Sequence, residues 1–179
     1  PNKPIILSCL PPVSNRITVP GCEFDDGSVL LNSWIRSISV NTKNWNHLIS
    51  PHPRLDQEML DSLELHGSII CDEGIEDLIP LSNLFVASYS STIRTAITCG
   101  VPVINYDIFG YAYGKYDEFN GVKRVSQLQD FDSILDELSS NEKKLQNLKV
   151  EQQEASKQYA LLDGKSEDRI VALVLECIR

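Results

Sequence analysis

Leu84-Phe85-Val86-Ala87-Ser88-Tyr89-Ser90-Ser91-Thr92-Ile93-Arg94-Thr95-Ala96-Ile97-Thr98-Cys99-Gly100-Val101-Pro102-Val103-Ile104-Asn105 is the stretch whose reading decides the fold. It opens with a continuous apolar run, Leu84–Ser88, of the length and composition of a strand buried on both faces. Ser90-Ser91-Thr92 starts a short helix, Ile93–Cys99, which Gly100 closes, and Val101–Asn105 is a second apolar strand. Strand, crossover helix and strand make a βαβ unit, and such units build parallel sheets.

The alternation continues outward on both sides. Upstream, Pro4–Leu10 reads as a buried first strand stopped by Pro11-Pro12, with a loop from Val13 to Gly27. Ser28–Ser39 carries Val29, Leu30, Trp34, Ile35 and Ile38 near helical spacing and so covers one sheet face. Trp45–Ser50 is the second strand, Leu55–Leu65 a helix closed by Gly67, Ser68–Cys71 the third strand, and Ile75–Ile79 a short helix ended by Pro80. Downstream come a tyrosine-rich loop, Tyr106–Tyr116, pivoting on Gly110 and Gly114, and a last short strand, Val122–Val125. Three helices follow: Gln127 to Leu138, a long polar one over Asn141–Leu162, and Ser166–Ile178. The expected fold is α/β: a doubly wound, mostly parallel, Rossmann-like sheet with helices on both faces and a helical C-terminal tail. Residues 1–179 form one domain, with 1–125 the sheet core and 126–179 the tail.

Composition bounds what such a domain does. A chain of 179 residues fits a single domain, and 42% hydrophobic content supplies an ordinary core, which excludes wholesale disorder. Sixteen basic against 25 acidic side chains leave −9, which argues against a general binder of nucleic acid or anionic membrane. The excess lies in residues 1–139, with 9 basic and 18 acidic, whereas 140–179 carry 7 of each. Cys9, Cys22, Cys71, Cys99 and Cys177 are odd in number and never at CxxC spacing, so a reducing compartment is expected rather than a disulfide framework or structural zinc. No run reaches the roughly 20 apolar residues of a membrane span. Pro1–Pro4 is no charged leader and carries no initiator Met, so the chain is expected to begin at an inter-domain linker of something longer, or after a trimmed tag.

Ligands of open parallel sheets bind beyond the carboxyl ends of the strands, so those loops carry the functional reading. Ser88–Thr92 offers Ser90, Ser91 and Thr92 hydroxyls and unpaired amides at a helix start, a setting that suits a phosphate, although Ser90 also reads as a plain N-cap. Pro51-His52-Pro53-Arg54 follows strand two and faces the same crevice. His52 can donate to a phosphate or neutralise a leaving group, Arg54 supplies a fixed charge, and the flanking prolines limit where the ring points. Behind Asn105-Tyr106-Asp107, the tyrosines Tyr106, Tyr111, Tyr113 and Tyr116 form either a wall for a base or sugar or packing on the sheet edge. Asp107 stands where such folds bind a ribose hydroxyl. Arg94 either faces the anion site or pairs with Glu76. Asp25-Asp26-Gly27 and Asp72-Glu73-Gly74 read as turn and cap chemistry. His47 reads as structural, His66 as a cation at a helix end, and Cys99 as core. No Ser-His-Asp arrangement, metal-ligand cluster, GxGxxG or Walker loop is present.

The combination resembles a known group of enzymes. A strand, His52-Pro53-Arg54, Ile75-Glu76-Asp77-Leu78-Ile79-Pro80-Leu81-Ser82-Asn83-Leu84-Phe85-Val86-Ala87, Ser90-Ser91-Thr92-Ile93-Arg94-Thr95-Ala96 and Gly100-Val101-Pro102-Val103-Ile104-Asn105-Tyr106-Asp107 follow one another. The order is similar to the C-terminal, donor-binding half of GT-B glycosyltransferases of the bacterial capsule and surface-polysaccharide kind, Kdo- and sialyl-transferases among them. It has echoes in CDP-glycerol glycerophosphotransferases and in UDP-GlcNAc 2-epimerases. The likeness runs from Pro4 to Tyr111, and Asp163-Gly164-Lys165-Ser166 with the last helix resembles the end of such proteins. It implies that His52, Ser90 and Ser91 hold the phosphate of a nucleotide-sugar donor, CMP-linked in preference to UDP- or CDP-linked, with no further cofactor or metal. It also implies a glycan acceptor, a missing N-terminal Rossmann-like domain, and a cytoplasmic location at the inner face of the membrane, reached through other parts of the protein. The catalytic acid of sialyltransferases lies in that other domain, and the copy of its string at Asp25-Asp26-Gly27 falls too close to the His-Pro motif to serve. This half alone is expected to bind donor and turn over nothing, because both walls of the cleft are needed. The rival expectations are a 2-epimerase-like isomerase, which calls for more carboxylates and a glycine-rich serine loop, and a non-catalytic assembly domain.

Overall fold

A computed structural model describes residues 3–178. Six strands, β1 (Ile5–Cys9), β2 (Asn46–Ser50), β3 (Ile69–Ile70), β4 (Leu84–Ala87), β5 (Val103–Tyr106) and β6 (Val122–Val125), form one sheet in the order β3-β2-β1-β4-β5-β6. Every pairing is parallel. The chain leaves β1 toward β2 and β3, then returns to lay β4 on the other side of β1, so the topological switch point falls between β1 and β4. Cys9 is level with both Ser50 and Ala87, and Ala87 with Asn105, which brings the loops after β1, β2, β4 and β5 out along one edge.

The period-two alternation of the strands divides the core in two. Ile6, Ile49, Val86, Ile104 and Tyr106 face α1 (Gly27–Asn41) and α5 (Leu128–Ser140). Leu7, Cys9, Phe85, Ala87 and Val103 face α3 (Ile75–Leu78) and α4 (Thr92–Thr98). Leu30, Leu31, Trp34, Ile35 and Ile38 make a single buried stripe on α1. Asp26 caps that helix by accepting the Val29 amide at 2.9 Å, the cap chemistry the acidic pair suggests. Gly27 is required there, because a Cβ would collide with the Ser14 carbonyl. The loop before it doubles back as a strap: the Ile17 amide donates to Asp25 O at 2.8 Å, and Arg16 and Asp26 form an antiparallel bridge. Glu23 on the strap accepts the Leu128 amide at 2.6 Å and so caps α5 across the fold.

Three expectations change. The helix read over Leu55–Leu65 is only α2 (Gln57–Asp61), capped by Asp56. Asn32 of α1 accepts the Glu64 amide at 2.7 Å and donates to Ser62 O at 3.2 Å, capturing the backbone that would have prolonged the helix. His66 therefore sits in a turn at φ 47°, beside Glu64 at 3.4 Å, and not at a helix end. The stretch after residue 126 divides between packed and unpacked helices. α5 buries Phe131, Leu135 and Leu138, and α6 (Glu142–Tyr159) buries Leu148 and Gln152, whereas α7 (Ser166–Cys177) has no buried residue.

His47 is structural, as its strand position suggests. Its Nε2 meets Ser8 Oγ at 2.7 Å and its Nδ1 meets Ser68 Oγ at 2.7 Å, while Trp34 Nε1 donates to the same Ser8 oxygen at 3.3 Å. Burial drives its pKa down to about 3, so the ring is neutral.

Candidate functional site at the switch point

At the switch point the carboxyl-end loops enclose a cavity of about 630 Å³. The strap contributes Arg16, the loop after β2 contributes His52, the loop after β4 contributes Ser90 and Ser91, and the loop after β5 contributes Tyr111 and Tyr113. None of the lining residues is an aspartate or glutamate, although the chain as a whole carries −9. Among its walls Arg16 is a permanent cation, and among the described residues it forms no ion pair.

His52 is partly buried between its prolines, and its Nδ1 accepts the Arg54 amide at 3.1 Å. That bond fixes the neutral tautomer with the proton on Nε2, leaving an N–H as the ring's available donor. Burial, and then the Arg54 charge, lower the His52 pKa, so the ring offers this donor as a neutral group at pH 7. Arg54 itself is exposed and lies outside the cavity lining.

Hydrogen bonds within the chain hold the serine loop. Tyr116 Oη donates to the Ser90 carbonyl at 3.2 Å, Ser90 Oγ lies 2.7 Å from Thr92 Oγ1, and the Thr92 amide donates to Ser90 Oγ at 3.3 Å. The Cys9 thiol, its pKa raised by burial, also reaches Ser90 Oγ at 4.0 Å. Ser90 thus supplies the cap-like contact, the Ser91 side chain makes no cap bond, and Thr92 stands behind the cavity as a support.

The aromatic loop divides between the two readings, packing for Tyr106 and Tyr116 and cavity wall for Tyr111 and Tyr113. Tyr106 is 1% exposed, stacked on Phe131 at 4.4 Å and tilted on Trp34 at 5.2 Å, so the base-or-sugar contact expected of it is corrected: it belongs to the core. It follows Asn105 in β5, and the strand alternation turns it to the α1 face. Tyr116 is likewise buried at 2%. The Asp107 carboxylate is 1% exposed and accepts the Tyr111 and Ala112 amides, each at 2.9 Å, with Arg124 at 3.9 Å. It is committed to shaping the loop, so its expected ribose contact is corrected too. Tyr111 and Tyr113 do reach the cavity, stacked at 5.1 Å, with the Tyr89 ring edge-on to Tyr113 at 5.4 Å. Arg94 is exposed and lies beside the Tyr116 hydroxyl, pairing with neither the cavity nor Glu76. The sequence reading missed Arg16 and Tyr89. Arg16 is the basic residue of the loop that follows the first strand, but nothing in the order of residues marks that loop as folding back over the crevice.

Residues 36–176 match the family of CDP-Glycerol:Poly(glycerophosphate) glycerophosphotransferases. The chain belongs to that family. The matched region of this glycerophosphotransferase-family chain contains the His52 and Ser88–Thr92 loops and starts after the strap. Among solved structures it is similar to the wall teichoic acid polymerase TagF, at 16% identity and TM-score 0.64, covering 99% of this chain and 43% of that one. It is similar to a UDP-N-acetylglucosamine 2-epimerase from Listeria monocytogenes, at 15% identity and TM-score 0.68, covering 99% and 45%. It is also similar to CalG4, the calicheamicin glycosyltransferase, at 11% identity and TM-score 0.61, covering 96% and 42%. No curated protein matches by sequence. These likenesses show the fold alone, and the chain spans less than half the length of each of those structures. Among the described residues no helix is long and apolar enough to cross a membrane.

Proposed function

We propose that the switch-point cavity binds the phosphate-bearing part of a nucleotide-linked donor, as the donor half of a transferase that builds a cell-surface polymer. The observation that carries this reading is the composition of the cavity: Arg16, His52, Ser90 and Ser91 converge with no carboxylate among them, in an acidic chain. Donors without opposing acids suit an anion. Fixed dipoles and one cation aimed at a departing phosphate stabilise the charge that develops as the donor bond breaks. His52 Nε2–H, the two serine hydroxyls and the Arg16 guanidinium take those roles, with Thr92 behind them and Arg54 adding charge at the rim. Tyr89, Tyr111 and Tyr113 form the wall for the base or sugar.

The nucleotide is cytidine-linked in this reading. That feature is common to the CMP-sugars of Kdo- and sialyl-type transferases and to the CDP-glycerol in the description of this family. A second α/β domain, from the part of the length that the solved structures have beyond this chain, brings the acceptor and the catalytic base. A 2-epimerase chemistry needs acids or bases placed to move a proton on the sugar, and the carboxylate-free lining weighs against it here. Calorimetric titration with CMP, CDP and UDP tests the reading. Binding of a cytidine nucleotide that is lost in both His52→Ala and Ser91→Ala supports it, and equal binding by the variants and the parent refutes it.

A further inference from the structure

We infer that Asn105 is the positioning residue of the anion loop, holding Tyr89 in the left-handed conformation that presents Ser90 and Ser91 to the cavity. This rests on the phosphate reading of that cavity. The β4–β5 ladder pairs Ala87 with Asn105 and goes no further, so the next amides of β4 turn out of the sheet. The Tyr89 amide is met instead by the Asn105 side chain, whose Oδ1 accepts it at 3.0 Å. Tyr89 has φ 44°, a region that a side chain bearing a Cβ avoids unless its surroundings impose it.

Asn105 is 0% exposed, and its Nδ2 finds no partner among the described residues. An amide buried with an idle donor is an unfavourable choice for a strand end, where Val or Ile fits without that penalty. The bond to Tyr89 is what the amide supplies in return. Its chemical type fits the purpose. Aspartate accepts the same N–H, but it sets a buried negative charge directly behind a loop that receives a phosphate. Asparagine accepts without charge. The one bond also governs two walls, because the Tyr89 ring packs edge-on to Tyr113 at 5.4 Å while its successor, Ser90, carries the hydroxyl. Asn105 touches no ligand, and its effect passes through the Tyr89 backbone.

The test uses the full chain, calorimetry with inorganic pyrophosphate and with CDP, and hydrogen exchange of the Ser88–Thr92 segment without ligand. Asn105→Ala is expected to weaken pyrophosphate binding about tenfold, the order set by one buried hydrogen bond and the conformation it holds, and to speed exchange of the Tyr89 amide. Adding Tyr89→Gly to Asn105→Ala is expected to restore pyrophosphate binding, since glycine takes positive φ unaided, but not CDP binding, which also needs the ring. Asn105→Asp keeps acceptor and volume, so it carries the test should the alanine variant fail to fold: exchange stays slow while affinity falls. Unchanged affinity and exchange in Asn105→Ala, or no rescue by Tyr89→Gly, overturns the inference and leaves the phosphate reading standing. A parent chain that binds neither probe overturns both.

Discussion

Two histidines five residues apart show how place in this fold sets the role of a side chain. His47 lies within β2 and is 6% exposed, with Ser8 and Ser68 on its two ring nitrogens. His52 lies just past the end of the same strand, keeps one nitrogen occupied by a backbone amide, and lines the cavity with its other edge. Both pKa values are lowered by burial, the inner one far more. The inner ring spends all of its hydrogen-bonding capacity on the fold, and the outer one keeps a donor free. In an open parallel sheet the boundary between those fates is the carboxyl end of a strand.

The sharpest way to break the contrast is to remove the inner ring. His47→Ala takes the ring partner from the Ser8 and Ser68 hydroxyls and opens a cavity beneath Trp34, so we expect a loss of about 3 kcal/mol in urea unfolding. Nucleotide affinity should be unchanged wherever the variant is folded, and a matching loss of affinity would mean that the two regions are not separate. The next effect is on pH. The unfolded chain takes up a proton on His47 below about pH 6.5, whereas the folded chain resists until about pH 3. Stability is therefore full above 6.5 and falls with decreasing pH by up to about 1.4 kcal/mol per unit, flattening near pH 3. His52 contributes in the same direction, and denaturation curves at stepped pH on His47→Gln should show most of the slope gone.

Smaller changes sharpen the outer half. His52→Ala and Arg16→Ala should each weaken nucleotide binding about tenfold while shifting stability by less than about 0.5 kcal/mol, as measured by calorimetry beside thermal unfolding. Arg54→Ala should do least, about twofold in affinity, because the side chain is exposed and off the cavity wall, and the effect should fade in high salt. If Arg54→Ala costs more than Arg16→Ala, the assignment of the cation is reversed.

Much of this arrangement was legible in the amino-acid order. The six strands, the His52 loop and the Ser88–Thr92 loop follow from apolar runs punctuated by proline, glycine and hydroxyl residues, because those signals act within a few neighbours. Tyr106 and Tyr111 could not be told apart that way. Both stand in one tyrosine-rich stretch, and only the meeting of β5 with Phe131 of α5 buries the first and leaves the second at the cavity. Arg16 shows the same limit from the other side, since a loop between a strand and a helix has no periodicity to reveal that it folds back over the switch point.

By itself, then, the sequence determined the alternation of strand and helix, the parallel sheet and two of the loops that face the crevice, all of them matters of local pattern. The strand order that puts β4 beside β1, the strap that brings Arg16 to the cavity wall, the arrest of α2 by Asn32, and the hold of Asn105 on Tyr89 were decided only by the tertiary structure. Each depends on partners many residues apart, whose contact is settled by burial and by the pairing of backbone polar groups, not by what lies next to them in the chain.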